Sequence, residues 1–210
     1  NLGVMEAVFA FGKATNRKLI LAVQTNGTLL TENHCQKLAS MKCAVGVSLD
    51  GMGEANALRH FPDGTPAWER TVDGIRNLGQ FGIRCNLTTV VTNRNARYLG
   101  QLPDLALWLG NVSGVGLDLF RPLGRGAEQS LAPKEGELVQ GLLELTEKAA
   151  EIRAAGIPFR LRELERLKKR FACETCNGIY CYAQTVQSIC VDANGNCWPC
   201  SSLAGNRAFY

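Results

Sequence analysis

Histidine is nearly absent from this chain of 210 residues, which holds two. Neither His34 nor His60 stands near a nucleophile at a recognisable spacing, so a hydrolytic triad has no support and both read as surface or packing residues. Phosphate cradles are missing as well. No G-x-G-x-x-G follows an apolar run and no G-x-x-x-x-G-K-[ST] occurs, which removes dinucleotide and P-loop readings; the G-R-G at 124–126 is too short to count. No stretch approaches the roughly 20 apolar residues of a membrane span, and the opening Asn1-Leu2-Gly3 carries no signal-peptide pattern. A cytoplasmic protein without a membrane partner is the expectation. The chain also opens without a methionine and stops at Arg207-Ala208-Phe209-Tyr210, so both ends are expected to be cut from something longer.

What is present describes an ordinary folded protein. Apolar residues make up 46% and charged residues 20%, which excludes disorder, collagen and low complexity. At about 150 residues per domain the length allows one domain and a fraction. The net charge of +4 is local: seven basic residues (Arg153, Arg160, Arg162, Arg166, Lys168, Lys169, Arg170) fall between 152 and 170, against two acidic ones. A stripe of this kind attracts phosphates or acidic partners, but a solvated helix face is its commoner cause, and a nucleic-acid partner is not expected.

Cysteine is the informative residue. Of nine, six lie in 28 residues as Cys173-x2-Cys176-x4-Cys181-x8-Cys190-x6-Cys197-x2-Cys200. An odd total, a one-sided cluster and no signal peptide favour metal ligation in a reducing compartment over a disulfide frame. Cys35, Cys43 and Cys85 sit among apolar neighbours and read as small buried hydrophobes.

Along residues 1–130 an apolar strand, a polar or glycine turn and an amphipathic helix recur. Strands are predicted over Leu19–Val23, Ala44–Leu49, Arg84–Val91 and Gly114–Phe120. They lack clean alternation, as strands of a parallel sheet buried on both faces do. Helices are predicted from an N-cap at Thr31 through Leu38, along Trp68, Val72, Ile75 and Leu78, and over Leu99–Leu109 around Pro103. A long helix follows, with Pro133 in its first turn, Leu138, Leu142, Leu145, Ala149 and Ile152 as its stripe, and Gly156 as its stop. A short segment Ile157–Leu161 and a basic helix ending at Phe171 complete the series. This order implies βαβ units, in an α/β barrel or an open doubly wound sheet.

In such folds ligands bind where strands end and helices begin. The four strand ends read Gln24-Thr25-Asn26-Gly27, Ser48-Leu49-Asp50-Gly51, Thr92-Asn93-Arg94-Asn95 and Asp118 to Arg125. Asn-Gly and Asp-Gly form turns in any protein, but four polar ends in succession favour a polar ligand.

Taken in order, Q-T-N-G (24–27), V-S-L-D-G (47–51), L-G-Q-F-G-I (78–83), F-R-P-L-G-R-G (120–126) and the terminal cysteine segment resemble the radical S-adenosylmethionine enzymes of the SPASM subfamily, across essentially the whole chain. The most specific element is Cys-x9–15-Gly-x4-Cys, met by Cys181, Gly195 and Cys200. The resemblance implies a partial (β/α)6 TIM-like barrel over residues 1–170, holding the family's strands three to six. A small Cys-rich auxiliary-cluster region over 171–210 follows it. It places Thr25, Asn26 and Gly27 near the S-adenosylmethionine, matches Ser48 to a residue that hydrogen-bonds the ribose and methionyl part, and gives Asp50 a supporting place in the turn. Arg59 resembles an arginine that pairs with the cofactor carboxylate, a task suited to a planar fork of donors. Leu119 to Arg121, with Phe120 between them, would lie against the adenine.

For the metal, the resemblance makes Cys176, Cys181 and Cys200 ligands of an auxiliary [4Fe–4S] cluster, with Cys173, Cys190 and Cys197 as alternates; soft thiolates suit iron–sulfur centres. The family's radical-initiating Cys-x3-Cys-x2-Cys triplet and its Gly-Gly-Glu segment do not occur in these residues and are expected before Asn1, as the later SPASM cysteines are expected after Tyr210. Sulfatase-maturing members carry an acid where this chain has Ser201, a departure that points away from that branch. The implied activity is generation of a 5′-deoxyadenosyl radical for hydrogen abstraction in the maturation of a peptide or protein, by an oxidoreductase fed by an electron donor such as flavodoxin or ferredoxin. The chain alone is expected to be inactive.

Two other readings stay open. Cys173-x2-Cys176-x20-Cys197-x2-Cys200 is also a zinc-ribbon-like spacing, which would make the tail a structural, protein-binding or nucleic-acid-binding knuckle. A catalytically inactive scaffold presenting a partner surface is the other.

Overall fold

Each predicted strand is followed by a helical stretch, and parallel neighbours require such crossovers. The computed structural model describes residues 2–122, 130–172 and 187–204. Its contacts divide the chain into two units, the first ending at Glu165 and the second starting at Arg166.

In the first unit, α1 (Leu2–Ala14) precedes β1 (Ala22–Thr25), α2 (Glu32–Ser40), β2 (Ala44–Ser48), α3 (Trp68–Gln80), β3 (Cys85–Val91), α4 (Leu102–Leu109), β4 (Val112–Leu119), α5 (Glu135–Ala154) and β5 (Arg160–Leu161), where α6 (Arg162–Ala172) begins. The strands pair in parallel in the order β1-β2-β3-β4-β5. A sheet that grows in one direction through right-handed crossovers carries its helices on one face. This is the winding of a barrel segment, and it excludes the doubly wound alternative, whose order reverses at a switch point.

One-sided covering corrects the expectation of strands buried on both faces. Along β3, Cys85, Leu87, Thr89 and Val91 are buried while Asn86, Thr88 and Val90 are not. The covered face packs Val45, Val47, Leu87 and Val91 against Ile75, Leu78, Leu105 and Leu145 in one core. Gly46, Ser48, Asn86 and Thr88 stand on the open face, and in β3 the alternation is masked by Val90 on that face and the buried Thr89 on the other.

Boundaries differ where tertiary pairing overrides local pattern. The edge strand β1 starts at Ala22, opposite Ala44, the first residue of β2; Leu19 and Ile20 fall outside it and Ile20 is exposed. Strand β4 begins at Val112 because that residue pairs with Cys85 at the start of β3. The segment around Pro103 is a 3-10 turn (Ala96–Gln101) leading into α4, with the proline in its first turn. Pro133 stands just before α5, whose extended N-cap is Lys134. The stripe of α5 is also rotated: Leu142 is exposed and Gly141 buried, because a β-carbon at 141 would strike the carbonyl oxygen of Ala96. Thr31 caps α2 as read, and His34 completes its capping box. Cys35, Cys43 and Cys85 are buried.

The second unit holds most of α6, none of whose residues is buried; of the basic stripe, Arg166, Lys168, Lys169 and Arg170 are exposed. A two-stranded antiparallel hairpin, β6 (Cys190–Val191) and β7 (Cys197–Trp198), follows, then a 3-10 turn over Ser201–Leu203. No helix among the described residues is long and apolar enough to cross a membrane.

Two measurements check the packing. Gly141→Ala overpacks the α5 contact and is expected to cost roughly 1–3 kcal/mol, whereas Gly136→Ala, in the same helix with open space around it, is expected to stabilise by about 0.5–1 kcal/mol; thermal melting of the two variants gives the signs. Burial pushes the Cys85 thiol from 9.0 up to about 12. The unfolded chain therefore ionises first, so stability is full below pH 9 and falls as pH rises toward 12. Urea titrations at rising pH are expected to show a shallower alkaline loss in Cys85→Ala.

Candidate cofactor site at the strand ends

The described strand-end residues singled out by the sequence, Gln24 to Gly27, Ser48 to Gly51, Thr92 to Asn95 and Asp118 to Pro122, lie at the carboxyl ends of β1, β2, β3 and β4, the rim of the sheet. At β1, Thr25 Oγ1 accepts the Gly27 N–H at 3.1 Å and Asn26 Oδ1 accepts the Thr28 N–H at 3.2 Å. Gly27 has φ 78°, a left-handed conformation that glycine adopts without strain. Helix α3 closes on this turn: Thr71 Oγ1 donates to the Asn26 carbonyl at 3.0 Å, and a β-carbon at Gly74 would strike the Gly27 oxygen.

At β2 and β3 the polar groups form a buried knot. Asp50 Oδ1 accepts the Val90 N–H at 2.9 Å and Arg59 Nη2–H at 2.7 Å, while Arg59 Nε lies 2.7 Å from Asp50 Oδ2. The Asp50 N–H donates to Asn56 Oδ1 at 3.0 Å. Asn95 Nδ2 donates to the carbonyls of Asp50 and Val90 at 3.1 and 2.9 Å, and its Oδ1 accepts the Thr92 N–H at 2.7 Å. Asp50, Asn56, Thr92 and Asn95 are all buried. Arg59, matched by resemblance to a carboxylate-binding arginine, thus holds a carboxylate of its own chain. Both oxygens of Asp50 are engaged in the turn.

Ser48 faces the open side of the sheet, and its environment went unread in the sequence. Gln24 on β1 donates from Nε2 to Ser48 Oγ at 3.1 Å and accepts at Oε1 from Thr88 Oγ1 on β3 at 3.3 Å. The side chain crosses β2 over Gly46, where a β-carbon would strike its Oε1. The glycine inside V-G-V is what permits this close approach. With one hydrogen bond accepted from Gln24, the Ser48 hydroxyl keeps its own proton to donate.

At β4, the Phe120 N–H reaches the Val91 carbonyl at 3.1 Å and holds this segment beside the end of β3. Arg162 lies across Gly116 and binds Asp118 Oδ1 at 2.7 Å, Glu163 Oε1 at 2.8 Å and the Leu117 carbonyl. Burial opposes its charge, but Glu163 and Asp118 outweigh that and raise its pKa. Asn86, Thr88, Gly116, Arg160 and Arg162 help line a cavity of about 220 Å³ on this open face.

In the second unit, Gly195 has φ 85° in the turn joining β6 to β7. Asp192 fixes that turn by accepting the N–H groups of Asn194 and Asn196 at 2.8 and 2.9 Å. The side-chain bond from Asn196 is the chief cause holding its carboxyl below the usual range. The glycine of the Cys-x9–15-Gly-x4-Cys spacing therefore meets a backbone demand. Cys200 accepts the Ser202 N–H at its sulfur, at 3.2 Å. Cys173, Cys176 and Cys181, like Leu123 to Arg125, lie outside the described residues; among the described residues no three His, Cys, Asp or Glu side chains gather to hold a metal ion.

Comparison with known proteins bears on this rim. No family model matches the chain. An AdoMet-dependent heme synthase of Methanosarcina barkeri is 29% identical over 213 residues, covering 93% of this chain and 59% of the relative. A serine-type anaerobic sulfatase-maturating enzyme of Bacteroides thetaiotaomicron is 36% identical over 86 residues, 40% of this chain and 21% of that enzyme. Native anSMEcpe, solved with bound AdoMet and the Kp18Cys peptide, superposes with a TM-score of 0.80 at 19% identity, covering 97% of this chain and 58% of that one. The chain is related to the radical S-adenosylmethionine enzymes. It spans less than two thirds of each of these relatives. Its five-stranded parallel sheet has the fold expected of a partial (β/α)6 TIM-like barrel, and a sulfatase-maturating enzyme stands among its relatives despite Ser201.

The knot gives a direct prediction for this radical S-adenosylmethionine relative. Asn95→Ala strips partners from Asp50, Val90 and Thr92 at once and is expected to cost about 3 kcal/mol in urea denaturation, since buried unsatisfied groups cost roughly 1–3 kcal/mol each.

Proposed function

We propose that this chain is the S-adenosylmethionine-binding and auxiliary-cluster portion of a radical S-adenosylmethionine maturase whose substrate is a peptide or protein. The observation that supports it is the convergence of Thr25–Gly27, Ser48 and Leu119–Arg121 on one rim of a parallel sheet whose structural relative was solved with AdoMet bound. A peptide in the same relative supports the substrate class. An electron donor of the flavodoxin or ferredoxin kind belongs to this reading by resemblance.

Such enzymes draw from S-adenosylmethionine and iron–sulfur clusters a carbon radical that abstracts hydrogen; the protein binds, orients and shields. Here Gln24 holds the Ser48 oxygen and leaves its proton free, so that Ser48 would donate to a ribose or methionyl oxygen. The Thr25–Gly27 turn, braced by Thr71, offers a rigid edge beside it. Asp50 and Arg59 hold the strand ends so that neither the serine nor the turn drifts. Leu119 and Phe120 offer an apolar edge for the adenine, and Leu119 is exposed to receive it.

The donor set also suits an iron–sulfur cluster. Cys200 receives a backbone N–H at its sulfur, which favours the thiolate that ligates metal, whereas burial raises the thiols of Cys35, Cys43 and Cys85 and keeps them protonated. Cys176, Cys181 and Cys200 would hold the auxiliary cluster.

Isothermal titration of S-adenosylmethionine into the chain tests the cofactor site. Ser48→Ala is expected to weaken binding about tenfold, the worth of one hydrogen bond near 1.4 kcal/mol, with the melting temperature unchanged. Equal affinity in the variant, or no binding by the parent chain, contradicts the assignment.

A further inference from the structure

Strand β4 is held unequally along its two edges. Against β3 its register runs to the last residue, Leu119 opposite Val91, and the Phe120 N–H adds a bond to the Val91 carbonyl. Against β5 the ladder stops at Val115 opposite Leu161. Gly116 to Leu119 therefore have no strand partner on their outer edge among the described residues, and such an edge leaves backbone groups unpaired. The Asp50 knot does not reach them: its bonds join the loop after β2, β3 itself and the turn after β3.

One side chain stands where that ladder ends. Arg162 follows directly on Leu161, the last residue of β5, and its guanidinium lies flat over Gly116, where a β-carbon would come within 2.7 Å of both Cζ and Nε. Nη2 donates to the Leu117 carbonyl and to Asp118 Oδ1 at 2.7 Å, and Nε donates to Glu163 Oε1 at 2.8 Å. A carbonyl and a carboxylate on consecutive residues fix the height and the direction of the strand together. A planar fork of donors can meet both while Glu163 grips its other side, which a single ammonium on a flexible stem cannot. Glu163 and Asp118 outweigh burial and keep the guanidinium charged.

We propose that Arg162 is a positioning residue for the adenine side of the cofactor site: it stands in for the missing ladder beyond Val115 and so sets the place of Leu119 to Arg121 on the rim. The inference rests on the S-adenosylmethionine reading of that rim. It divides the site into two halves with separate supports. The methionyl half, at Thr25 to Gly27 and Ser48, is braced by Thr71 and Gln24, whereas the adenine half depends on an arginine that binds only its own chain. Loss of Arg162 then acts on one half of the ligand and spares the other.

The test titrates the full chain with S-adenosylmethionine and measures its two halves, 5′-methylthioadenosine and L-methionine, by competition. Arg162→Met, which keeps the stem and removes the fork, is expected to weaken S-adenosylmethionine and 5′-methylthioadenosine about tenfold each, the scale of one hydrogen bond, and to leave L-methionine unchanged. Asp118→Ala removes the same bridge from the strand side. Its carboxylate is 57% exposed, so this variant keeps the fold and carries the test where Arg162→Met does not. Gly116→Ala, whose β-carbon lifts the guanidinium, is expected to act in the same direction. In the ligand-free variants, amide exchange is expected to quicken at 116–121 and to stay the same at 24–28 and 47–51. Undiminished 5′-methylthioadenosine binding in Asp118→Ala, equal losses for both halves, or unchanged exchange at 116–121 overturns this assignment alone. A parent chain that binds no S-adenosylmethionine overturns the cofactor reading and this inference with it.

Discussion

A carboxylate withdrawn from water must be met by donors, and Asp50 is met by the Arg59 guanidinium and the Val90 amide, while its own backbone is clamped by Asn56 and Asn95. Those partners come from the loop after β2, from β3 and from the turn after β3. One buried charge therefore draws three segments to a single point at the carboxyl end of the sheet. Parallel strands are otherwise free to splay there, since their ladder ends with the last paired residue. The rim that carries Thr25, Ser48 and Phe120 keeps its spacing because this point is fixed.

The same economy of space shapes the open face. Gly46 gives the Gln24 side chain room to cross to β3, and Gly116 gives the Arg162 guanidinium room to reach Asp118. Glycine here works by absence of a β-carbon, so that long polar side chains lie flat on the sheet and leave a cavity above it. Polar groups that bind one another across three strands are pre-oriented, and a pre-oriented donor spends less of its interaction on ordering when a ligand arrives. The hairpin of the second unit applies a related constraint through register, which sets Cys190 and Cys197 on opposite faces.

Much of the architecture was legible because periodicity and turn chemistry are local. The βα order, the Thr31 cap and the buried Cys35, Cys43 and Cys85 follow from the residues themselves, and the strand-end motifs pointed to the rim that the sheet forms. What the sequence hid depends on partners distant in the chain. Gln24 meets Thr88 across 64 positions, and nothing near either residue announces the other. Arg59 was assigned outward by resemblance, and only the fold shows it bound to Asp50. Gly141 replaced Leu142 in the stripe of α5 because the approach of the Ala96 carbonyl rotates the helix. Burial on both faces was inferred from apolar strands, whereas a sheet covered from one side leaves its open face to Gly46, Ser48, Asn86 and Thr88.

The central claim is that the carboxyl rim of this sheet is an S-adenosylmethionine site. Amide hydrogen exchange of the chain, with and without S-adenosylmethionine, tests it most directly because it reports position as well as binding. The account predicts slowed exchange in peptides covering 24–28, 47–51 and 118–121, with the outer helices α2 and α4 unchanged. Slowing confined to those helices, or none anywhere at saturating ligand, would contradict it.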